Sequence, residues 1–239
     1  MTLSLVLRPL AMLGLTMLVP QGTPATGDAP EDTLFVRFRE GSGHTVRGPL
    51  VSSSSGYRAY VTVTAEMRRL EGWPTCVNTA SLFVASPGAG SFSMVFQKEP
   101  TPERSGNGLR LVDWWGPDGR TLAAVSLWWQ EDSDVGGHGI LIYRAETKRV
   151  VEPDLDALFS RSLRRECSLR LDDIPGFTES GELVVKVGNW KDSYDPESDK
   201  PCLSSEEEHA LWAIDVRANS ARRLPSGYVP KRKETRQVK

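Results

Sequence analysis

Residues Arg110 to Trp129 read RLVDWWGPDGRTLAAVSLWW, a tight bend between two apolar runs that alternate as β-strands do. A Pro-Asp-Gly bend between such runs marks a hairpin. The stretch also has counterparts along the chain. Gly119 set over Gly181 aligns without gaps from Leu109 over Leu171 to Trp128 over Trp190, with Trp115 over Phe177 and Val125 over Val187, a separation of 62 residues. Gly56 occupies the same turn 63 residues earlier. That copy is weaker, because Ser52 replaces the aromatic residue and the alternation after it is shifted by one.

A second hairpin recurs between these. HGILIYRAETKRV, His138 to Val150, matches HALWAIDVRANSARRL, His209 to Leu224, and the stretches Ala80 to Phe96 and Asp32 to Val46 share its form. The chain therefore alternates two hairpin types, and self-similarity at such a period marks a propeller or a related array. The expected fold is all-β: a propeller-like array of about three four-stranded antiparallel blades plus an N-terminal half blade over residues 32–226, with one short helix near 153–165. The alternative is a β-sandwich, which short alternating strands at regular spacing also fit.

At these residues the chain resembles the TolB-type, WD-like β-propeller repeat. WGPDGRTLA and LIYRAETKRV fit its aromatic, Pro-Asp-Gly and following hairpin pattern well, and FTESGELVV with WAIDVRANSARRL fits fairly. The resemblance implies the blade and says little about activity, since such blades serve binding proteins and enzymes alike. Three blades and a half are fewer than the four to eight that close a ring. The array is therefore expected to be open or small, or to be completed by a second copy.

The first 25 residues have the form of a signal peptide. One charge, Arg8, precedes an apolar run from Leu10 to Val19, and Thr23 and Ala25 stand where a signal peptidase wants small side chains. Cleavage is expected after Ala25 or Gly27, with 26–31 as linker and a secreted or periplasmic product. Ten apolar residues are about half of the roughly 20 that span a bilayer, so no membrane span is expected. Losing Arg8 from 29 basic residues leaves 28 against 31 acidic ones, a balance that excludes nucleic acid as the main partner. The Lys- and Arg-rich end, residues 227–239, reads as a solvated, disordered tail.

In a four-stranded meander the A–B and C–D turns lie at one end, and the B–C loops and D–A connections at the other. The bends at Gly119, Gly181, Thr147 and Asn219 are short, so the irregular sequence collects at the opposite end. It comprises Glu66 to Asn78, Gln130 to His138, Lys191 to His209 and the connection between Val151 and Arg170. Long loops on a rigid scaffold are where binding usually sits. The candidate binding residues there are Trp73, Trp129, Asp132, Asp134, His138, Asp192, Tyr194, Asp195 and His209. In the connection, Pro153 suits a first helical turn, and Leu155, Leu158, Phe159 and Leu163 form one stripe that faces the core. Trp115, Trp128 and Trp190 hold repeat positions and are expected to pack between blades.

All three cysteines, Cys76, Cys167 and Cys202, fall at this loop end. Export permits a disulfide, expected between Cys167 and Cys202 because both flank strands of the third blade. No zinc-type spacing occurs, and neither metal nor other cofactor is expected. His138 and His209 precede equivalent strands with carboxylates nearby. Two functions follow. The first is an exported binding or scaffold protein whose loop face holds an envelope protein or glycan. The alternative is a metal-assisted hydrolase or lyase using His138, His209 and the loop carboxylates. No Ser-His-Asp elbow, phosphate loop or dinucleotide fingerprint is present, so catalysis is not the expected role.

Overall fold

In the computed structural model, residues 43–102, 104–130, 136–190, 201–231 and 233–234 are described. The described residues form three antiparallel sheets, each built around a run of consecutive strands. The first holds β1 (His44–Arg47), β2 (Val51–Ser52), β3 (Arg58–Leu70), β4 (Trp73–Ala85) and β5 (Ser93–Lys98). The second holds β6 (Gly106–Trp115), β7 (Thr121–Trp129), β8 (Gly136–Arg144) and β9 (Arg149–Val151), and the third β10 (Leu169–Phe177), β11 (Leu183–Asn189), β12 (Trp212–Asp215) and β13 (Ser220–Arg223). Among the described residues two helices form, α1 (Leu155–Leu163) in the connection from the second sheet to the third and α2 (Ser205–Glu208) between β11 and β12. The short strand β14 (Lys233–Glu234) adds to the second sheet beside β6.

The repeated turns form with one geometry. Gly56, Gly119 and Gly181 all have positive φ, 83°, 66° and 84°, where a β-carbon is disfavoured. Each donates its N–H to the carbonyl three residues back, to Ser53, Gly116 and Thr178. The gapless alignment, however, slips by one residue beyond the turn. The closing bond runs from the Gly116 N–H to the Thr121 carbonyl in the second sheet, but from Ser53 to Tyr57 and from Thr178 to Glu182 in the others. The second turn thus holds one extra residue, and Trp115 pairs with Leu122 where Phe177 pairs with Leu183. Trp129, not Trp128, is accordingly the counterpart of Trp190.

That one-residue step sets which side chains face which sheet. Leu122 and Ala124 pack with Ala59, Val61 and Val63 of the first sheet. Ala123 and Val125 pack with Leu183, Val185 and Val187 of the third. The middle sheet is buried on both faces, which is why β7 reads as a continuous apolar run. Helix α1 forms where the sequence stripe predicts: Asp154 caps it by accepting the Ala157 N–H at 3.0 Å, and Leu155, Leu158 and Phe159 are buried in the core shared by the second and third sheets.

Several expectations change on the structure. Residues 66–78 are not a loop. They continue β3 and β4 into a two-stranded arm closed by Glu71 and Gly72, both at positive φ, 51° and 92°, the geometry of a two-residue hairpin turn. Strand β1 does not belong to a separate half blade, because it joins the first sheet against β3, His44 opposite Ala65; residues 32–42 lie outside the described residues. Trp190 does not pack between sheets, being 41% exposed. In the segment expected to be a solvated tail, Lys231 pairs with Phe177 and β14 pairs with Trp114 and Trp115. Residues 235–239, like the expected leader and linker, lie outside the described residues.

Candidate binding site at the loop end

The far ends of β7 and β8 carry the site. Trp128 stands opposite Gly137 and Trp129 opposite Gly136. Both indoles lie on glycine. A β-carbon at Gly106 would sit 1.7 Å from the Trp129 ring, and one at Gly137 would sit 2.7 Å from Trp128 Nε1. The rings therefore need bare backbone beneath them. The Arg104 guanidinium lies over the Trp128 ring at 4.6 Å from its centre, a cation–π contact.

His138 is exposed and stands between two cavities. One, of about 390 Å³, is bounded by Arg104, Trp128, His138, Glu152, Asp154 and Asp156. Glu152 is fixed there by Lys98 of the first sheet at 2.7 Å and by the Ser126 hydroxyl at 3.0 Å. Gly139 makes room for that carboxylate, since a β-carbon there would meet Ser126 Oγ at 2.7 Å and Glu152 Oε1 at 3.1 Å. Burial raises the Asp156 pKa against the opposing effect of the Leu169 N–H that its carboxylate accepts, and Asp154 adds repulsion in the same direction as burial. The other cavity, of about 310 Å³, lies between Val125, Leu127 and Leu171, with Arg110, Arg170 and Asp172 at its mouth. Arg170 and Asp172 pair at 2.9 Å.

A bridge between Cys167 and Cys202, with α-carbons 4.8 Å apart, joins the connection after α1 to the loop before α2, the pairing expected from sequence. Further bonds anchor that loop. Asn189 donates to the Leu203 carbonyl at 2.8 Å and accepts its N–H at 2.7 Å, and Arg165 pairs with Glu207 at 2.6 Å. The Ser204 N–H and the Arg165 guanidinium hold the Glu207 carboxyl below the usual range.

The candidate residues are thus partly gathered. His138 lines both cavities. Trp129 is half-buried on Gly106 next to Trp128. Trp73 lies elsewhere: it sits beside the turn of the β3–β4 arm, 76% exposed and roughly 16 Å of extended chain beyond Asn78. Asn78 itself is tied to the second sheet through its N–H to the Ser105 carbonyl and its carbonyl to Asn107 Nδ2. His209 is exposed at the C-cap of α2, and neither cavity beside His138 reaches it. Asp132, Asp134, Asp192, Tyr194 and Asp195 lie outside the described residues. Among the described residues no three His, Cys, Asp or Glu side chains converge to hold a metal ion, and no helix is long and apolar enough to span a membrane.

Sequence reasoning missed Arg104, Glu152 and Arg170, which belong to connections or to the edge strand β10 and carry no repeat signature. A signal did exist for Trp128. Tryptophans before the bend and glycines after it place the Trp128 indole against the bare backbone of Gly137 once the hairpin is in register. Chemically, the site brings guanidinium donors and carboxylate acceptors together beside the Trp128 ring. No family model matches the chain, and no curated protein matches it in sequence.

Proposed function

We propose that this chain is an exported binding protein of propeller-like build, related in its repeat to TolB-type blades, which holds a protein or glycan partner of the cell envelope at the groove around His138. The observation that carries this reading is the pair of cavities flanking His138. Together they set Arg104, Trp128, Arg110 and Arg170 against Glu152, Asp154 and Asp172 at one end of the array. Aromatic and guanidinium groups in a concave, polar-rimmed site are the usual anchors of such contacts. The Cys167–Cys202 bridge is in keeping with an oxidising compartment. The three tandem sheets are read as consecutive blades, with a second copy supplying the rest of a ring.

The test is quantitative recovery of a partner from the native envelope fraction by the wild type and by Arg104→Ala, Trp128→Ala and His138→Ala, alongside a glycan array. The reading expects a protein or glycan retained by the wild type and lost by the Arg104 and Trp128 variants. A bound species that the three variants retain equally refutes the site. Light scattering reports the second copy, which a strict monomer at physiological concentration refutes.

A further inference from the structure

At the end opposite His138, where the turns of the second and third sheets meet, lies a cavity of about 270 Å³ whose floor is core: Ile142, Phe177, Leu183 and Ile214, each at most 3% exposed. The neighbouring pair of sheets shows that this space is not a necessary product of the repeat. There the turn of the first sheet seats Ser54 and Ser55 on Gly119, Ser55 Oγ donates to the Asp118 carbonyl at 3.3 Å, and the Tyr57 ring lies 5.9 Å from that of Trp115. At the corresponding glycine of the third sheet, Gly181, a β-carbon would meet nothing within 4 Å.

The rim is charged, and each of its carboxylates already has a hydrogen-bond or ion-pair partner. Asp118 accepts the N–H groups of Arg120 and Thr121 and the Thr121 hydroxyl, and Asp215 accepts the N–H groups of Arg217 and Ala218. Glu146 pairs with Arg120 at 3.7 Å, Glu179 with Lys231 at 3.2 Å, and Glu182 with Arg222 at 2.5 Å. Arg144 differs. It follows Ile140 and Ile142 on the face of β8 that meets the third sheet and is half-buried at the cavity wall, with no side-chain hydrogen bond or ion pair among the described residues. Arg217, exposed on the same rim, likewise has no side-chain partner among them.

We propose that this cavity binds a carboxylate carrying one branched apolar group, with the apolar group on the Ile142, Phe177, Leu183 and Ile214 floor and the carboxylate on the Arg144 guanidinium. The space suits a single side chain, and guanidinium with carboxylate is the favoured planar, two-bond pairing. Such a group occurs as the carboxyl-terminal residue of a peptide and as a free short acid. The site is separate from the groove around His138, so it stands or falls independently of the binding function proposed there.

The experiment titrates the full chain with three probes: acetyl-Gly-Leu, its carboxamide, and 4-methylpentanoate. Binding is followed by calorimetry and by shifts of the Ile142 and Ile214 methyl signals. The free acid of acetyl-Gly-Leu is expected to bind and to move both methyls, with the carboxamide weaker by about tenfold or more, the loss of one charge-assisted pair. Arg144→Gln should weaken the acid by a similar factor and leave the carboxamide unchanged, while Arg144→Lys keeps part of the preference. Tight binding of 4-methylpentanoate identifies free acids as the source, and binding of the peptide alone identifies chain termini. Equal affinity for acid and carboxamide in the wild type overturns the proposal, as does unchanged acid binding by a folded Arg144→Gln. The absence of binding by every probe at about 10 mM, far above any useful affinity, overturns it as well.

Discussion

Removing the Cys167–Cys202 bridge tests how the loop end is held. The bridge closes a 35-residue separation that spans β10, β11 and the loop leading to α2. In the chain-entropy treatment a loop of that length removes about 4 kcal/mol of freedom from the unfolded chain. The folded state has little reason to change, because neighbouring bonds already fix both ends. Asn189 exchanges two bonds with Leu203, the Trp190 N–H reaches the Ser168 carbonyl at 2.9 Å, and the Cys167 N–H reaches Ser160 Oγ at 2.9 Å. The loss should therefore come through the unfolded state. For a domain of this size it corresponds to a fall in Tm of roughly 8 to 16 °C. Thermal unfolding by circular dichroism of the Cys167→Ser/Cys202→Ser double variant, against oxidised and reduced wild type, measures it. Reduced wild type and the double variant should coincide, and Cys76→Ser should match the oxidised protein. A fall of less than about 3 °C, or native near-ultraviolet signals lost at 25 °C, refutes the view that the bridge acts on the unfolded chain while other contacts hold the folded loop.

Gly106→Ala drives a methyl into the Trp129 ring and should cost about 1–3 kcal/mol, read from urea midpoints together with a change in tryptophan emission; wild-type values for both would show that the indole does not need bare backbone. Phe159 is fully buried and meets Trp212 edge to face at 5.1 Å, so Phe159→Ala should cost about 3–5 kcal/mol, and a loss under about 1 kcal/mol would mean α1 is not part of the core. The Arg222 guanidinium, with Ser180 and Thr178, holds the Glu182 carboxyl below its usual range. A depressed carboxylate contributes stability above the pH at which an unfolded glutamate titrates, about 4.3, and loses it as pH falls through the lower folded value. Glu182→Gln should accordingly reduce stability at neutral pH and flatten the acid limb of the stability–pH curve, and identical limbs in both proteins would contradict the pairing.

The tandem order of sheets was legible because turns carry their own chemistry. Gly56, Gly119 and Gly181 mark the same bend wherever a positive φ is required. Helix α1 was legible for a related reason, since Asp154 at its cap and an apolar stripe over two turns are local signals. The faces of the strands were less so. Strand β7 is apolar on both sides, which erases the alternation that would reveal the extra residue between Gly119 and Thr121, and only the hydrogen bonds across the turn show it. The β3–β4 arm is hidden in the sequence for the opposite reason. Charged and polar residues such as Glu66, Arg68, Arg69 and Glu71 look like loop, yet the arm needs no apolar face, because each strand satisfies the backbone of the other out to the Glu71–Gly72 turn.

Proximity within the loop end is not legible in the sequence, because strand extension decides it. The arm carries Trp73 away from His138. Trp128 stays close because β7 stops at Trp129 and β8 starts at Gly136. The same reasoning explains why the cavity beside Arg144 left no trace in the sequence. It exists because nothing rests on Gly181, whereas two serines rest on Gly119, and a gap between sheets depends on which turn reaches its neighbour. A repeat therefore announces its strands in its own residues, and a cavity such as this one arises where one copy fails to cover the next.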